Sequence, residues 1–312
     1  MRFKKICVIV NPVSGQSKPD VAMIEKRLGE KGLDYRIVYT EPDRLPREIA
    51  KAAAADGADL VVAVGGDGTV LETAEGLIGT DTVLGVIPGG TANVFAAEME
   101  IPVDTCAALD FLLCDDMAVR KVDIGVVGEQ HFLLRVGIGL EAAMTVLAEP
   151  ALKSRFGVLA YLVAALNYGR TMPNTRYVIV TDGRRRVMSG ITCVVCNSGN
   201  LGLPGVKLIP EIDPTDGYLN VVVLKQASLL AALGLAYNAI SGFVTRRKGT
   251  RRIRVERKDL TMYSIRAKEV VVEAIPPQVA ARDGEEINGG FPLRIDILHN
   301  AINVAAHGRE LE

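Results

Sequence analysis

No stretch of this 312-residue sequence stays apolar for the ~18 to 20 residues that a membrane span needs, so any contact with a membrane is expected to be peripheral. Histidine is scarce: His131, His299 and His307 are scattered and assign no catalysis. Cys7, Cys106, Cys114, Cys193 and Cys196 are odd in number, and the apolar core of MRFKKICVIVNP is too short for a secretory signal before Asn11 and Pro12 interrupt it. A reducing cytoplasm is the expected home. Cys193 and Cys196 form a CxxC, but ITCVVCNSG reads as a strand with no second pair and no nearby histidine, so no zinc site is expected. The net charge of −1 argues against a bulk nucleic-acid binder. There is no tandem repeat, low-complexity tract or disordered linker.

What is present is an ordinary globular composition, 49% hydrophobic and 23% charged, long enough for two domains. Over the first ~125 residues strand-like runs (KKICVIVNP, DYRIVYTE, DLVVAVGG, TVLGVIP) alternate with helix-like ones (VAMIEKRLGEKG, PREIAKAAAADGA, TVLETAEGLIG), which predicts a doubly wound parallel sheet of the α/β class. From residue ~123 the pattern turns β-rich, predicting an antiparallel sandwich. The expected domains are therefore 1–122, completed by 299–312, and 123–298. Two segments of helical spacing interrupt the second, at 148–169 and 228–244, as plain core or as the lining of an apolar pocket.

In VVAVGGDGTVLETAEGL, residues 61–77, a buried-strand pattern runs into Gly65, Gly66, Asp67, Gly68 and Thr69 and then into a helix. Glycines let backbone approach a ligand, and the following helix start offers unpaired N–H groups to a phosphate. Asp67 needs another reason, because a bare phosphate would be repelled unless the carboxylate held a metal, a hydroxyl or nearby backbone. NPVSGQ, YTEP and PGGTANVFA fall at the same edge of the predicted sheet, where α/β folds bind ligands. Four convergent turns are stronger evidence than one.

NPVSG, GGDGT, PGGTANVFA, GIGLEA, PTDGYL and ARDGEE, in that order along nearly the whole chain, resemble the soluble diacylglycerol kinase family, which includes sphingosine, ceramide and related bacterial lipid kinases. The resemblance implies transfer of the γ-phosphoryl group of ATP to a lipid hydroxyl, with Mg²⁺. It implies that Gly65, Gly66, Gly68 and Thr69 admit the phosphates and that Asp67 organises the turn and a nearby Mg²⁺. Asn11, Ser14 and Gly15 would border the phosphates, with Thr40, Gly89, Gly90, Thr91 and Asn93 on the nucleotide side. Neither a Walker lysine motif nor a protein-kinase glycine loop is present. Asp283, Gly284 and Glu285 match the late Asp-Gly-Glu motif that supplies the general base, either carboxylate being able to take the proton; read alone, Asp-Gly is a common hairpin turn. Asp213, Asp216 and Tyr218 match a segment that holds a structural Mg²⁺; read alone, they are a solvated turn.

The family often carries aspartate where Glu141 stands and glycines near Leu203 and Pro204, so acceptor recognition is expected to differ; Glu141 and Arg155 are the candidate substrate residues. Arg246, Arg247, Lys248, Arg251, Arg252 and Arg254 form a solvated face or a dock for an anionic bilayer, which would place the protein at the inner membrane face. The alternatives are an NAD kinase and a nucleotide-sensing protein without turnover. The acceptor lipid and the oligomeric state, a homodimer included, are left open by these residues.

Overall fold

The computed structural model describes residues 3–15, 20–147, 174–203, 206–207, 211–225 and 262–307. Arg155, the basic run 246–254 and the two apolar segments at 148–169 and 228–244 lie outside them. Among the described residues no helix is long and apolar enough to cross a membrane.

The first half alternates strand and helix: β1 (Lys5–Val10), α1 (Val21–Glu30), β2 (Asp34–Tyr39), α2 (Pro46–Ala55), β3 (Leu60–Gly65), α3 (Asp67–Leu77), β4 (Val83–Pro88), α4 (Val94–Glu98) and α5 (Thr105–Leu112). The strands pair in parallel in the order β2-β1-β3-β4. β3 and β4 are buried at every residue and β1 at all but its first, so their sequences are continuous apolar runs, as a parallel sheet covered on both faces requires. Local chemistry sets the helix starts. The Asp20 carboxylate accepts the Met23 N–H before α1, Asp104 does the same for Ala107 in α5, and Pro46 opens α2 where its missing N–H costs nothing. Because β1 lies between β2 and β3, the winding reverses there. The carboxyl ends of β1 and β3 thus flank a topological switch point, the place where such sheets bind ligands.

The second half comprises β5 (Ala118–Val127), β6 (Gln130–Phe132), β7 (Arg135–Gly139), α6 (Leu140–Leu147), β8 (Thr175–Thr181), β9 (Arg184–Gly190), β10 (Thr192–Cys196), β11 (Asn200–Leu203), β12 (Val206–Lys207), β13 (Leu219–Leu224), β14 (Met262–Ala267), β15 (Glu269–Ile275), β16 (Ala280–Arg282), β17 (Glu285–Glu286) and β18 (Leu293–Ala306). A six-stranded sheet, β14-β13-β10-β7-β16-β17, faces the antiparallel run β18-β15-β8-β9. Phe132, Ile138, Tyr177, Val195, Val221 and Ile295 fill the space between them, a core distinct from that of the first half. The sandwich is the one the β-rich pattern predicts.

No linker separates the halves at residue 122. β5 runs through that point and β18 crosses back, pairing antiparallel with β15 over Leu293–Asp296 and parallel with β4 at Asn303 and Val304. One ten-stranded sheet therefore spans both halves. The register of β18 against β5 shifts between Leu298 and Ile302, where Asn300 takes φ 54°, a local break that lets one strand serve two sheet geometries. All five cysteines are free; Cys193 and Cys196 are buried in β10, and burial pushes the Cys196 thiol up to about 12, so the CxxC is inert core.

Candidate active site

The four turns at the carboxyl ends of β1 to β4 interlock. Asn11 Nδ2 donates to Thr69 Oγ1 at 3.0 Å, and its own Oδ1 accepts the Val13 N–H. Ser14 Oγ reaches the Gly89 carbonyl at 3.5 Å, and the Gly89 N–H donates to the Gly65 carbonyl at 2.8 Å. The Thr40 N–H is tied to the Val10 carbonyl, keeping the end of β2 beside that of β1. Two glycines are demanded by close approach: a Cβ on Gly90 would lie 2.6 Å from the Gly66 Cα, and one on Gly15, at φ +76°, only 1.9 Å from the Gly89 oxygen. Asn93, itself at φ 49°, closes the last turn by accepting the Gly90 N–H and donating to the Gly90 carbonyl, while Thr91 stands exposed beside it. Gly68 sits in the first turn of α3 with no atom from outside its own stretch of helix within 4 Å of where a Cβ would be, so its side of the turn is open.

Asp67 has a structural answer. Its two carboxylate oxygens accept the Val94 and Phe95 N–H groups at 3.1 and 3.0 Å, capping α4 from a turn 27 residues earlier in the chain. The acid in the glycine turn is thus fixed by the next turn's backbone.

The late Asp-Gly pair is also a hairpin. Asp283 and Gly284, both at positive φ, join β16 to β17 with Arg282 opposite Glu285, the two-residue loop that Asp-Gly favours. The hairpin is a clamp besides: the Asp283 carboxylate accepts the N–H groups of Leu133, Leu134 and Arg135 at 2.6 to 3.2 Å. Burial pushes its pKa up to about 6, against the pull of those three donors and of the Arg135 guanidinium. Glu285 is in the opposite situation. Its side chain is 67% exposed, and its carboxylate meets Arg282 Nη2 at 3.0 Å.

Arg282 brings this hairpin to the phosphate side. It donates to Gln130 Oε1 and the His131 carbonyl, and His131 Nδ1 lies 3.2 Å from Glu75 on α3. One helical turn nearer Gly68 stands Glu72, whose Oε2 is buried without a partner. Burial, with Glu75 and Glu285 among the neighbouring charges, pushes its pKa up. Glu72, Arg282 and His131 escape a motif reading; the usable signal is spacing, since Gly68 and Glu72 share a face of α3 at i and i+4.

Glu141 is held rather than open. Its carboxylate accepts Arg135 Nε at 3.1 Å and occupies the space over Gly137, where a Cβ would lie 1.4 Å from Oε2. Arg135 Nη1 donates to the Asn200 carbonyl, so Glu141, Arg135 and Asp283 form one assembly.

The expected structural cation site is differently built. Asp213 Oδ1 accepts from Thr215 N, Thr215 Oγ1 and Arg120 Nη2, while Asp216 accepts the Tyr218 N–H and Arg266 Nη2 at 2.7 Å, with the Arg266 guanidinium 4.1 Å over the Tyr218 ring. Each carboxylate already faces an arginine, and no group of three His, Cys, Asp or Glu side chains among the described residues assembles for a metal. In this structure two guanidinium groups supply the positive charge that faces these carboxylates. We expect wild type and Asp216→Ala to show the same Mg²⁺ response in calorimetric melting, the variant being less stable with or without the ion. A rise in melting temperature with Mg²⁺ that Asp216→Ala abolishes would restore the cation.

Residues 5–127 match the model of the diacylglycerol kinase catalytic domain, and residues 135–306 that of the YegS C-terminal NAD kinase beta sandwich-like domain. A Bacillus subtilis (strain 168) protein named diacylglycerol kinase is 31% identical over 245 residues, 77% of this chain and 80% of the relative. The chain belongs to the diacylglycerol kinase-like lipid kinase family. A Mycobacterium tuberculosis (H37Rv) diacylglycerol kinase is 27% identical over 238 residues, 74% of this chain and 76% of that one. A crystal structure of a diacylglycerol kinase from Bacillus anthracis str. Sterne superposes with a TM-score of 0.71 at 22% identity, covering 100% of both chains, and bears on the fold.

Proposed function

We propose that this family member transfers the γ-phosphoryl group of ATP to a hydroxyl of a lipid such as diacylglycerol or a sphingoid or ceramide. The carrying observation is the bridge from Arg282 through His131 to Glu75, which sets the Asp-Gly-Glu hairpin against the helix that begins at the phosphate turn.

The turns after β1, β3 and β4 bind the nucleotide, with the backbone N–H groups and positive dipole end of α3 facing its phosphates. Glu285, exposed, takes the proton of the acceptor hydroxyl as the hydroxyl oxygen bonds to the γ-phosphorus and the bond from that phosphorus to the bridging oxygen of ADP breaks. Asp283 positions the hairpin, since its oxygens are committed to backbone donors. An ATP-borne Mg²⁺ fits the orphaned oxygen of Glu72, a hard donor on the helix that starts at the phosphate turn, and supplies charge neutralisation when bound. The acceptor is presented at a membrane surface that the protein meets peripherally, from the cytoplasm.

The test is incubation with labelled ATP, Mg²⁺ and a panel of diacylglycerol, sphingoid, ceramide and phosphatidylglycerol acceptors in mixed micelles, with NAD as comparison. A labelled phospholipid is expected. Label in NAD, or ATP binding with no transfer to any acceptor, would replace this reading by one of its two alternatives.

A further inference from the structure

Glu98, the last residue of α4, is 4% exposed, and an acid is a costly choice for so buried a position. Its Oε2 accepts Ser198 Oγ at 2.8 Å and the Asn200 N–H at 3.1 Å, from residues that are themselves buried and belong to the second half of the chain. What stands at each end of this contact gives it meaning. At the other end of α4 the Val94 and Phe95 N–H groups are held by Asp67 of the phosphate turn. Beyond Ser198, the N–H groups of Asn197 and Ser198 donate to the Leu134 carbonyl, and Asn197 Nδ2 donates to the Leu133 carbonyl. The Asn200 carbonyl accepts from Arg135. Leu133, Leu134 and Arg135 are the residues whose N–H groups hold Asp283.

We infer that Glu98 is a positioning residue that registers the nucleotide turns against the Asp-Gly-Glu hairpin, through a hydrogen-bonded chain running from Asp67 along α4 to Ser198, Asn200 and the 133–135 backbone. This rests on the kinase reading above. α4 is a rigid spacer one and a half turns long, fixed at one end by the acid of the glycine turn and at the other by an acid of its own. If packing alone were required, an apolar side chain like the neighbouring Val94, Phe95 and Ala96 would fill the position without a buried charge. A carboxylate instead aims two directional bonds at one strand end, which sets distance and angle as well as contact.

The test compares wild type, Glu98→Leu, Glu98→Gln and Ser198→Ala, as full chains, by steady-state kinetics and by amide hydrogen exchange with a non-hydrolysable ATP analogue and Mg²⁺. In Glu98→Leu, kcat for the acceptor should fall about tenfold or more while ATP affinity stays close to wild type, because the lost bonds are to a charged group outside the nucleotide turns. Glu98→Gln retains an oxygen that can accept both bonds and should recover most of the loss. The analogue should slow exchange at 66–69 in both wild type and Glu98→Leu, but at 133–135 and 198–200 only in wild type. Ser198→Ala, which removes one of the two bonds, should show the same split to a smaller degree and decides the matter if Glu98→Leu does not fold. Unchanged kcat, loss of ATP affinity in step with kcat, or persistent protection at 133–135 in the folded variants overturns the inference. No protection at 66–69 in wild type overturns the nucleotide assignment itself, and the coupling with it.

Discussion

Replacing Glu285 by Gln should lower kcat for phosphoryl transfer by about 10² to 10⁴-fold, the usual cost of removing a general base, with ATP affinity and melting temperature nearly unchanged. The amide keeps the volume and can still accept from Arg282 Nη2, but it cannot take a proton. Asp283→Asn should behave differently. Its two oxygens are shared among three backbone N–H groups, and an NH₂ turned toward them opposes donor to donor. Each unpaired buried donor costs ~1 to 3 kcal/mol, so this variant should lose stability along with turnover. Single-turnover kinetics, ATP titration and thermal melting separate the two. Full turnover in Glu285→Gln, with Asp283→Asn inactive yet as stable as wild type, would move the base to Asp283, whose pKa of about 6 suits the role.

The second large effect is expected in the glycine turns, where two substitutions should weaken ATP binding for opposite reasons. At Gly15 an added Cβ meets the Gly89 oxygen at 1.9 Å in a left-handed conformation, so Gly15→Ala must force two loops apart. Strain of ~1 to 3 kcal/mol follows and lowers the melting temperature; where the loops relax apart, recovering the binding geometry costs up to that amount, at about 1.4 kcal/mol per decade a loss of affinity of roughly five- to hundredfold. At Gly68 nothing outside its own stretch of helix lies within 4 Å of an added Cβ, so Gly68→Val should leave the unliganded fold close to wild-type stability. If phosphates occupy that open side, ATP affinity should fall at least tenfold all the same, because the branched side chain takes their place. Titration calorimetry alongside melting is the check. Gly68→Val binding ATP as tightly as wild type would remove the phosphates from this turn.

Much of this architecture is legible in the residues. The apolar runs of β1, β3 and β4 declare a sheet buried on both faces, and the polar breaks after each declare its ligand edge, because a parallel sheet leaves few other ways to bury such strands. Arg282, Glu98 and Glu72 are not legible in that way. Glu98 meets Ser198 and Asn200, and Arg282 meets Gln130 and His131, at 100 to 152 residues' separation, the buried oxygen of Glu72 has no partner among the described residues, and no local period records a hydrogen bond from Arg282 to the His131 carbonyl. The Asp213 and Asp216 turn shows another limit: the family resemblance implies oxygen ligands for a cation there, and no local pattern records that Arg120 and Arg266, remote in sequence, each donate to one of its carboxylates. Asp67 falls between. Glycine spacing marks it as unusual, and only the fold reveals that it caps a helix in the following turn.

The fourteen residues of β18 carry a mechanical consequence. Laced with β5 through both halves, this strand makes sliding of one half along the other costly, since either would have to break its own ladder. The break in register falls at Asn300, whose N–H is gripped at 2.7 Å by the fully buried Asp123, which also holds the Gly217 N–H. Any bending of the shared sheet is therefore expected to centre on this break in register, and Asp123→Ala, which frees the Asn300 and Gly217 N–H groups together, should speed amide exchange on both sides of it.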